Sequence, residues 1–505
     1  MSAPLDVRLV PAALSAWIVS AAGILWPIGR PLSCGFVGLA VVAGVLLWRA
    51  PRSQAIAAGL LSVGVVGAGF ALAVAVRAEA VAHHPIGAAF GSASPVTLTP
   101  SESAVALSRG RLMFRATLRR LRDDEVSGRV VVFARDSELG GESVVVGRPM
   151  RFTARIGAPL RRDLTVASLT ATGPPTVGEA SAVQRAAYAV RSKFSVLVRE
   201  VLPTDQAAML PALVLGDTSA VPTSTGADFR AAGMTHLTAV SGANVTIVCG
   251  AVLLSARLVG PRLAVLFAAA ALVAFVIVVQ PTASVLRAAV MGAVALTGML
   301  TSRRRQAMPA LATTVLVLMV LAPQLAVDAG FALSVLATGA LIVVAPVWSR
   351  RLVARGWPKP LADAVAVAWA AQVVAAPLIA AISGRFSVVA VAANLAAAPM
   401  IAPVTVLGSA AAVLCSPWPA AAQLLVRFTG PEVWWVLRVA HVSAGVPVAT
   451  VPVPPGVAGV VLVASVSLLV VVLWRWRWFR AAAGSAMGVA VLCLLAWWAS
   501  EWAAR

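Results

Sequence analysis

Long apolar runs separated by short polar turns fill most of this chain, and one stretch breaks that rhythm. Three runs come first, at Ala12–Ile28, Cys34–Trp48 and Ala55–Val76. Each is near the ~20 residues that a helix needs to cross hydrocarbon, although the second is short enough to be tilted or re-entrant. The runs resume at His236–Leu258, Leu263–Val279, Ala283–Leu300, Ala307–Leu321 and Gly330–Val347. They continue at Leu361–Ile382, Val388–Val413, Ala421–His441, Gly456–Trp474 and Ala481–Trp498. The pattern predicts a polytopic α-helical membrane protein of about 10–13 spans by the hydropathy criterion.

From Arg77 to about Pro174 no run is long enough to span. Instead apolar and polar residues alternate in short segments: Arg111–Arg119, Arg129–Arg135, Arg151–Arg155 and Leu164–Thr172. Alternation with period two marks strands. It puts Arg111, Arg115 and Arg119 on one face and Leu112, Phe114 and Leu118 on the other. Arg129 and Arg135 share a face, as do Arg151 and Arg155. The expectation is a small all-β, OB-like domain between spans 3 and 4, basic on its outer face. Val183, Ala187, Val190, Phe194, Leu197 and Val201 then repeat at helical spacing, with Arg185, Arg191, Lys193 and Arg199 on the other side. Such a helix commonly lies in the membrane interface. The chain is thereby divided into N-terminal spans (1–76), the β domain (77–180), interfacial helices (181–233) and a multi-span domain (234–505).

Composition agrees with this division. Sixty per cent of the 505 residues are apolar and 12% are charged, which excludes an ordinary soluble protein. The formal charge is +21 from 40 basic and 19 acidic residues, and Lys193 and Lys359 are the only lysines. Clusters at Arg49 and Arg52, Arg303–Arg305, Arg350–Arg351 with Arg355 and Lys359, and Arg475–Arg480 all fall on one side of the membrane if the N-terminus is cytoplasmic. The β domain then falls outside. Topology accounts for the cytoplasmic clusters and leaves the arginines of the β domain unexplained. Those arginines repeat on three strands, so a groove that tracks a nucleic-acid backbone is one use for them and a solvated surface is the other. The four cysteines form neither a metal spacing nor a disulfide framework, and the first run reads as a retained span.

Polar groups inside the apolar runs are the candidate functional residues, because they are expensive in hydrocarbon. His236, Thr238, Ser241, Gly242 and Asn244 head one run. They form either a close-packed constriction or helix break in a pore, or a capped helix start with a packing glycine. Arg287 lies about a turn into another run and either snorkels to the interface or faces an aqueous path, where it would attract phosphates. Asp217, Asp228 and Asp328 are its candidate partners. Asp328 and Gly330 open the segment Asp328–Ser334, which reads locally as an aspartate N-cap and a packing phenylalanine. Gln372, Pro377, Asn394, Pro399 and Pro403 interrupt two further runs and fit helix kinks or irregular backbone lining a cavity.

The stretch Gly233–Val248, with its Thr-Ala-Val-Ser-Gly-Ala-Asn centre, resembles the signature of the ComEC-type competence proteins. Arg287-Ala-Ala-Val-Met291 resembles that family's Arg-Ala-x-x-Met element, and Gly330-Phe-Ala-Leu-Ser334 its Gly-Phe-x-Leu-Ser motif. A similar Gln…Pro and Asn-Leu pattern occurs at Gln372, Pro377 and Asn394. The family more often has a large apolar residue and a histidine where this chain has Ala243 and Asn244. The resemblance implies a bacterial inner-membrane channel that admits single-stranded DNA during natural transformation, with the motif residues shaping the path. It further implies that Arg111, Arg115, Arg119, Arg129, Arg135, Arg151 and Arg155 gather the strand outside. Many relatives carry a C-terminal metallo-β-lactamase-like domain, for which the sequence after Trp498 has no room. With four histidines, no metal cluster and no nucleotide-binding motif, the sequence suggests no catalytic residue, metal or cofactor. The expected partners are single-stranded DNA, the bilayer, a separate nuclease, and a cytoplasmic motor or single-strand-binding protein. A small-molecule or lipid transporter and a non-conducting membrane scaffold are the alternatives; no internal repeat favours the former.

Overall fold

A computed structural model describes residues 6–49, 54–107, 110–135, 144–238, 240–280, 282–300 and 307–473, with Trp476, Trp478 and Ser485. Arg52, Arg303–Arg305, Arg475, Arg480 and, apart from Ser485, the expected last span Ala481–Trp498 lie outside the described residues. The chain forms two compact units. One comprises Met1–Val221, His236–Val335 and Ile401–Val433; the other comprises Pro222–Thr235, Leu336–Met400 and Trp434–Arg505.

The first unit opens with helices α1 (Val10–Leu25), α2 (Gly29–Arg49) and α3 (Gln54–Ala82). Pro27 helps to end α1, because the residue before a proline is driven out of the helical region and Trp26 is extended. Small residues set the spacing of this trio. A Cβ on Gly64 would meet the Ala40 backbone at 2.7 Å, and one on Gly67 would meet the Phe36 ring. Such close approach is how helices associate where solvent offers no hydrophobic drive.

The chain then forms β1 (Ala93–Pro100), β2 (Val105–Leu107), β3 (Arg111–Leu121), β4 (Asp124–Arg135), β5 (Met150–Gly157), β6 (Thr165–Ala171) and β7 (Thr176–Val177). The strand order is β1-β3-β4-β6-β5, and β5 pairs back onto β1, so five strands close into a small barrel. Only β4 and β6 pair in parallel; the other barrel pairs are antiparallel. Alternation holds along β5, where Met150, Phe152, Ala154 and Ile156 point inward. On β3 it holds through Leu118 and then slips at a bulge between Leu118 and Arg120, which leaves Arg119 and Arg120 both outside. Phe114, Leu118, Val132 and Leu169 fill the interior.

After the barrel come α4 (Ala182–Val201), α5 (Thr204–Leu215), α6 (Thr223–Ala231), the single turn α7 (Thr235–Thr238), α8 (Gly242–Ala256), α9 (Pro261–Val279), α10 (Ala283–Leu300), α11 (Ala307–Leu321) and α12 (Ala329–Val343). In the second unit α13 (Ala345–Val353) and α14 (Lys359–Ser383) pack through Ala345, Ala366 and Ala370. Strand β8 (Arg385–Ser387), α15 (Ala390–Leu414), α16 (Pro419–Gly445), β9 (Thr450–Pro452) and α17 (Val457–Leu473) follow, and β8 pairs with β9. Among the described residues, seven helical stretches are long and apolar enough to cross a membrane: those of α2, α3, α8, α9, α12 with α13, α14 and α15. Four shorter apolar helices, α1, α10, α11 and α17, accompany them. The expected span at Ala421–His441 falls on α16, which carries Arg427, Glu432 and Arg438 and is not among the seven.

Phe114 is 1% exposed at the centre of the barrel. Phe114→Ala is expected to destabilise the barrel by about 3–5 kcal/mol. Faster tryptic cleavage within residues 93–177 of the full-length protein would register that loss, and an unchanged cleavage rate would show that the barrel does not depend on this ring.

Candidate functional site

The site is built around the buried C-terminal end of a helix. Every residue of α5 from Ala207 to Leu215 is buried, and the helix stops at Gly216, whose φ of 70° is a conformation that favours glycine. The last carbonyls of a helix have no partner within it, and here little water is at hand to supply one. Gly216 N donates to Ala212 O (3.0 Å), and Asp217 N to Pro211 O (3.2 Å). Two side chains complete the cap. Asn244 Nδ2 donates to Leu213 O at 3.0 Å, and Arg191 Nη1 donates to Leu215 O at 3.0 Å. Arg191 Nη1 also reaches Val278 O in the last turn of α9 (3.1 Å), and its Nη2 lies 3.7 Å from Asp217 Oδ2. Burial pushes this guanidinium below its usual range, against the opposing pull of Asp217.

Arg191 is therefore not on the solvated side of α4, where the sequence pattern put it; its side chain is 11% exposed. The buried stripe of α4 is Ala187, Phe194, Leu197 and Val198, whereas Val183 is exposed. Arg191 falls four residues after Ala187 and three before Phe194, the spacing of that stripe. A charged residue in register with an apolar face was the signal that would have found it.

The block at residues 236–244 is a helix break, not the start of one continuous span. His236 is exposed on α7, Ser241 is extended, and α8 begins at Gly242. Ser241 caps no backbone amide with its side chain; its Oγ faces Asn244 Oδ1 at 3.4 Å. Asn244 is buried because its amide serves α5. Gly242 packs against Arg287, and a Cβ there would lie 2.7 Å from Arg287 Nη2.

Arg287 does not snorkel. It is 7% exposed in α10, with Nε donating to Ser334 Oγ (2.5 Å) and Nη1 directed at Met291 Sδ (3.2 Å). The three aspartates expected as partners are engaged elsewhere. Asp217 faces Arg191, Asp228 holds His441 Nδ1 at 3.0 Å, and Asp328 Oδ1 accepts from Phe331 N at 2.7 Å. Asp328 thus caps α12 and sets the turn on which Ser334 stands. A Cβ on Gly330 would lie 3.1 Å from the capping Asp328 Oδ1. Phe331 is fully buried against Trp17 of α1, edge to face with centroids 5.4 Å apart, and Trp17 Nε1 donates to Ala326 O. Residues 242, 287 and 334, far apart in sequence, meet at this one place.

Gln372 and Asn394 lie in the second unit and are described by themselves. Gln372 is half-buried in α14. Asn394 Nδ2 donates to Ala390 O (2.8 Å) and to Gly233 O (3.3 Å), so it clips the turn after α6. Gly233 has a φ of 69°, and a Cβ there would lie 2.5 Å from Ala390 Cβ.

The barrel arginines divide into two groups. Arg111, Arg119, Arg135, Arg151 and Arg155 are exposed, and Arg111 faces Arg135 across the β3–β4 pair. Arg115 and Arg129 are half-buried. Arg115 makes two 3.2 Å hydrogen bonds to Glu102. Burial lowers its pKa, yet Glu102, with weaker help from Asp328 and Asp163, outweighs burial and leaves it raised. Arg129 is pushed down by burial and by the neighbouring charge of Arg115, and its Nη1 is buried with no hydrogen-bond partner among the described residues. Next to Glu102, Ser103 Oγ donates to Gln280 Oε1 at 2.6 Å. Gln280 has a φ of 77° and ends α9, at the turn that leads into α10 and Arg287.

Removing the α5 caps tests this geometry. Arg191→Met strands Asp217 and two carbonyls and is expected to cost about 3–5 kcal/mol, the loss typical of a broken buried pair. Asn244→Leu strands one carbonyl, worth about 1–3 kcal/mol. Thermal unfolding of the two variants in detergent should rank them in that order below wild type. A melting temperature for Arg191→Met equal to wild type would remove the capping role.

No curated protein and no solved structure matches the chain. The family model described as competence protein matches residues 213–478, which hold α8, Arg287, the Asp328–Ser334 segment, Gln372 and Asn394; the barrel and α4 lie outside that match. That match spans more than half of the 505 residues, and with seven helices able to cross a membrane the chain is a multi-pass member of the competence-protein family.

Proposed function

We propose that this protein is an inner-membrane channel through which single-stranded DNA enters the cell during natural transformation. The observation that carries this reading is Arg287. A permanently charged side chain is held within the membrane region at the meeting point of three family motifs, and its partners there are a hydroxyl and a thioether rather than a carboxylate. An intramembrane charge of this kind marks an ion or substrate path, and the polyanion that the competence family handles is DNA.

The barrel is the receiving domain in this reading. Its strand order, in which the first strand pairs with the second and fourth and the third with the fifth, suits an OB-type barrel. The exposed arginines Arg111, Arg119, Arg135, Arg151 and Arg155 offer electrostatic contacts to a strand without reading its bases. The cation clusters and the positive-inside rule support a cytoplasmic N-terminus and an external barrel between the third and fourth spans. Strand cleavage and the driving force are assigned to partners: a nuclease on the outer side, and a motor or single-strand-binding protein within.

Cells of the host that lack this protein, complemented with wild type or Arg287→Ala, provide the test. Labelled DNA should be internalised with wild type, and internalisation should fall at least ~10-fold with Arg287→Ala at equal membrane abundance, since a hydrogen bond to a charged group is worth ~1.5–3 kcal/mol. Equal uptake by a competent host with and without the protein would end the channel reading. A transporter or a scaffold predicts that outcome.

A further inference from the structure

We infer that Phe133 and Met113, on the outer face of the barrel, form a platform on which a base of a single strand stacks while the arginines around it hold the adjoining phosphates; this inference refines the channel reading and rests on it. The strand register makes the platform. Val105, Met113 and Phe133 are direct partners across β2, β3 and β4, so they form one row on one face. Their strand neighbours Phe114, Val132 and Ala134 are buried in the interior, and the row therefore faces outward. Val105 is exposed, and Met113 and Phe133 are half-buried.

An apolar row on an outward strand face breaks the alternation that sets polar groups outside, and burial in the barrel does not account for it. What surrounds the row is cationic. Arg135 lies two positions from Phe133 on its own strand, about 7 Å away. Arg111 and Arg115 lie two positions to either side of Met113 on β3, diagonal to Phe133 and about 7–8 Å from it. Thus three of the four outward positions beside the Met113–Phe133 pair are arginines, and Val131 is the fourth. An aromatic face ringed by cations matches a polymer that offers a flat base and an anionic phosphate at every unit. The match selects a single strand over a duplex, whose bases keep their faces stacked inside. It also argues against a second copy of this chain, because a two-fold contact through this face would bring the same arginines against one another.

The platform also has a direction. On one side it opens to the exposed pair Arg111 and Arg135. On the other lies Arg115, bonded to Glu102, and the next residue, Ser103, donates to Gln280 at the end of α9. A strand stacked on Phe133 therefore lies between solvent and the turn that leads into α10 and Arg287. Every base has a π-face, so the platform requires a base without choosing among the four.

The test uses the full-length protein in an uncharged detergent with two labelled strands of equal length, oligothymidine and an abasic strand of the same backbone. Wild type should bind the thymidine strand at least about 5-fold more tightly than the abasic one, the lower bound for one stacked base. Phe133→Ala should remove that difference, weakening the thymidine strand alone and leaving the salt dependence as in wild type. Phe133→Leu keeps an apolar side chain without a π-face and should behave like Phe133→Ala, whereas Phe133→Trp should keep the preference. Arg111→Gln should instead weaken both strands and flatten the slope of log affinity against log salt by about 0.7, the loss of one phosphate contact to a single strand. Equal binding of the two strands by wild type would overturn the platform without any variant. So would a preference that survives in Phe133→Ala, or one that survives in Phe133→Leu, which would make the residue an apolar filler. A particle mass that halves in Phe133→Ala, with the preference intact, would assign the row to a contact between copies and overturn it as well. Uptake that needs the protein, combined with equal binding of the two strands, would discard the platform and keep the channel; uptake that never needs the protein would discard the channel reading on which the platform rests.

Discussion

A polar group withdrawn from water must find a partner within the protein, and that requirement organises the membrane half of this chain. Helix α5 is buried throughout Ala207–Leu215, so its final carbonyls call for donors from other elements. Asn244 and Arg191 supply them, and in doing so they tie α8 and α4 to one point. Arg191 extends the tie to α9 through Val278 O. The position of Gly242 follows, since it is two residues from Asn244 on the same helix. Arg287 then meets Gly242, and Ser334, fixed by the Asp328 cap and the Phe331–Trp17 contact, meets Arg287. The cap on a buried helix thus positions the motif residues, and their apparent chemistry is inseparable from their packing.

The same requirement connects the barrel to the membrane helices. Glu102 and Ser103 are neighbours in the loop between β1 and β2. One holds Arg115 of the barrel, and the other receives no charge but reaches Gln280 at the end of α9. Arg115 and Arg129 also feel Asp328, the residue that caps α12. The barrel is therefore in electrostatic and hydrogen-bonded contact with the two turns that precede Arg287 and Ser334. A strand held on the barrel's exposed arginines would be held beside those turns.

Much of this was legible in the sequence where periodicity carries the signal. The β strands announced themselves by alternation, because a strand with one dry face cannot hide its period. The helices announced themselves by length and composition. The Gly233–Val248 block stood out because polar residues do not head an apolar run without cause. The remainder was hidden for physical reasons. Alternation says which face of a strand a residue occupies but not what covers that face, so Arg115 and Arg129 looked solvated. Arg191 shares the charge of Arg185, Lys193 and Arg199 but has the spacing of the buried stripe. The turn between α7 and α8 has no proline to mark it, so the apolar run reads as continuous from His236. Arg287 lies near a helix end, where an arginine usually has an easy route to water, yet it is buried beside Gly242, Ser334 and Met291.

The most direct measurement is photocrosslinking of a single strand held in the full-length protein, with the attached peptides mapped by mass spectrometry. A phosphorothioate-tethered azide scanned along the strand labels whatever the backbone passes. The account predicts crosslinks on the barrel followed by crosslinks on the segments around Gly242–Thr246 and Ser284–Met291. Crosslinks on the barrel alone, with none on α8 or α10 at any tether position, would contradict a path past Arg287.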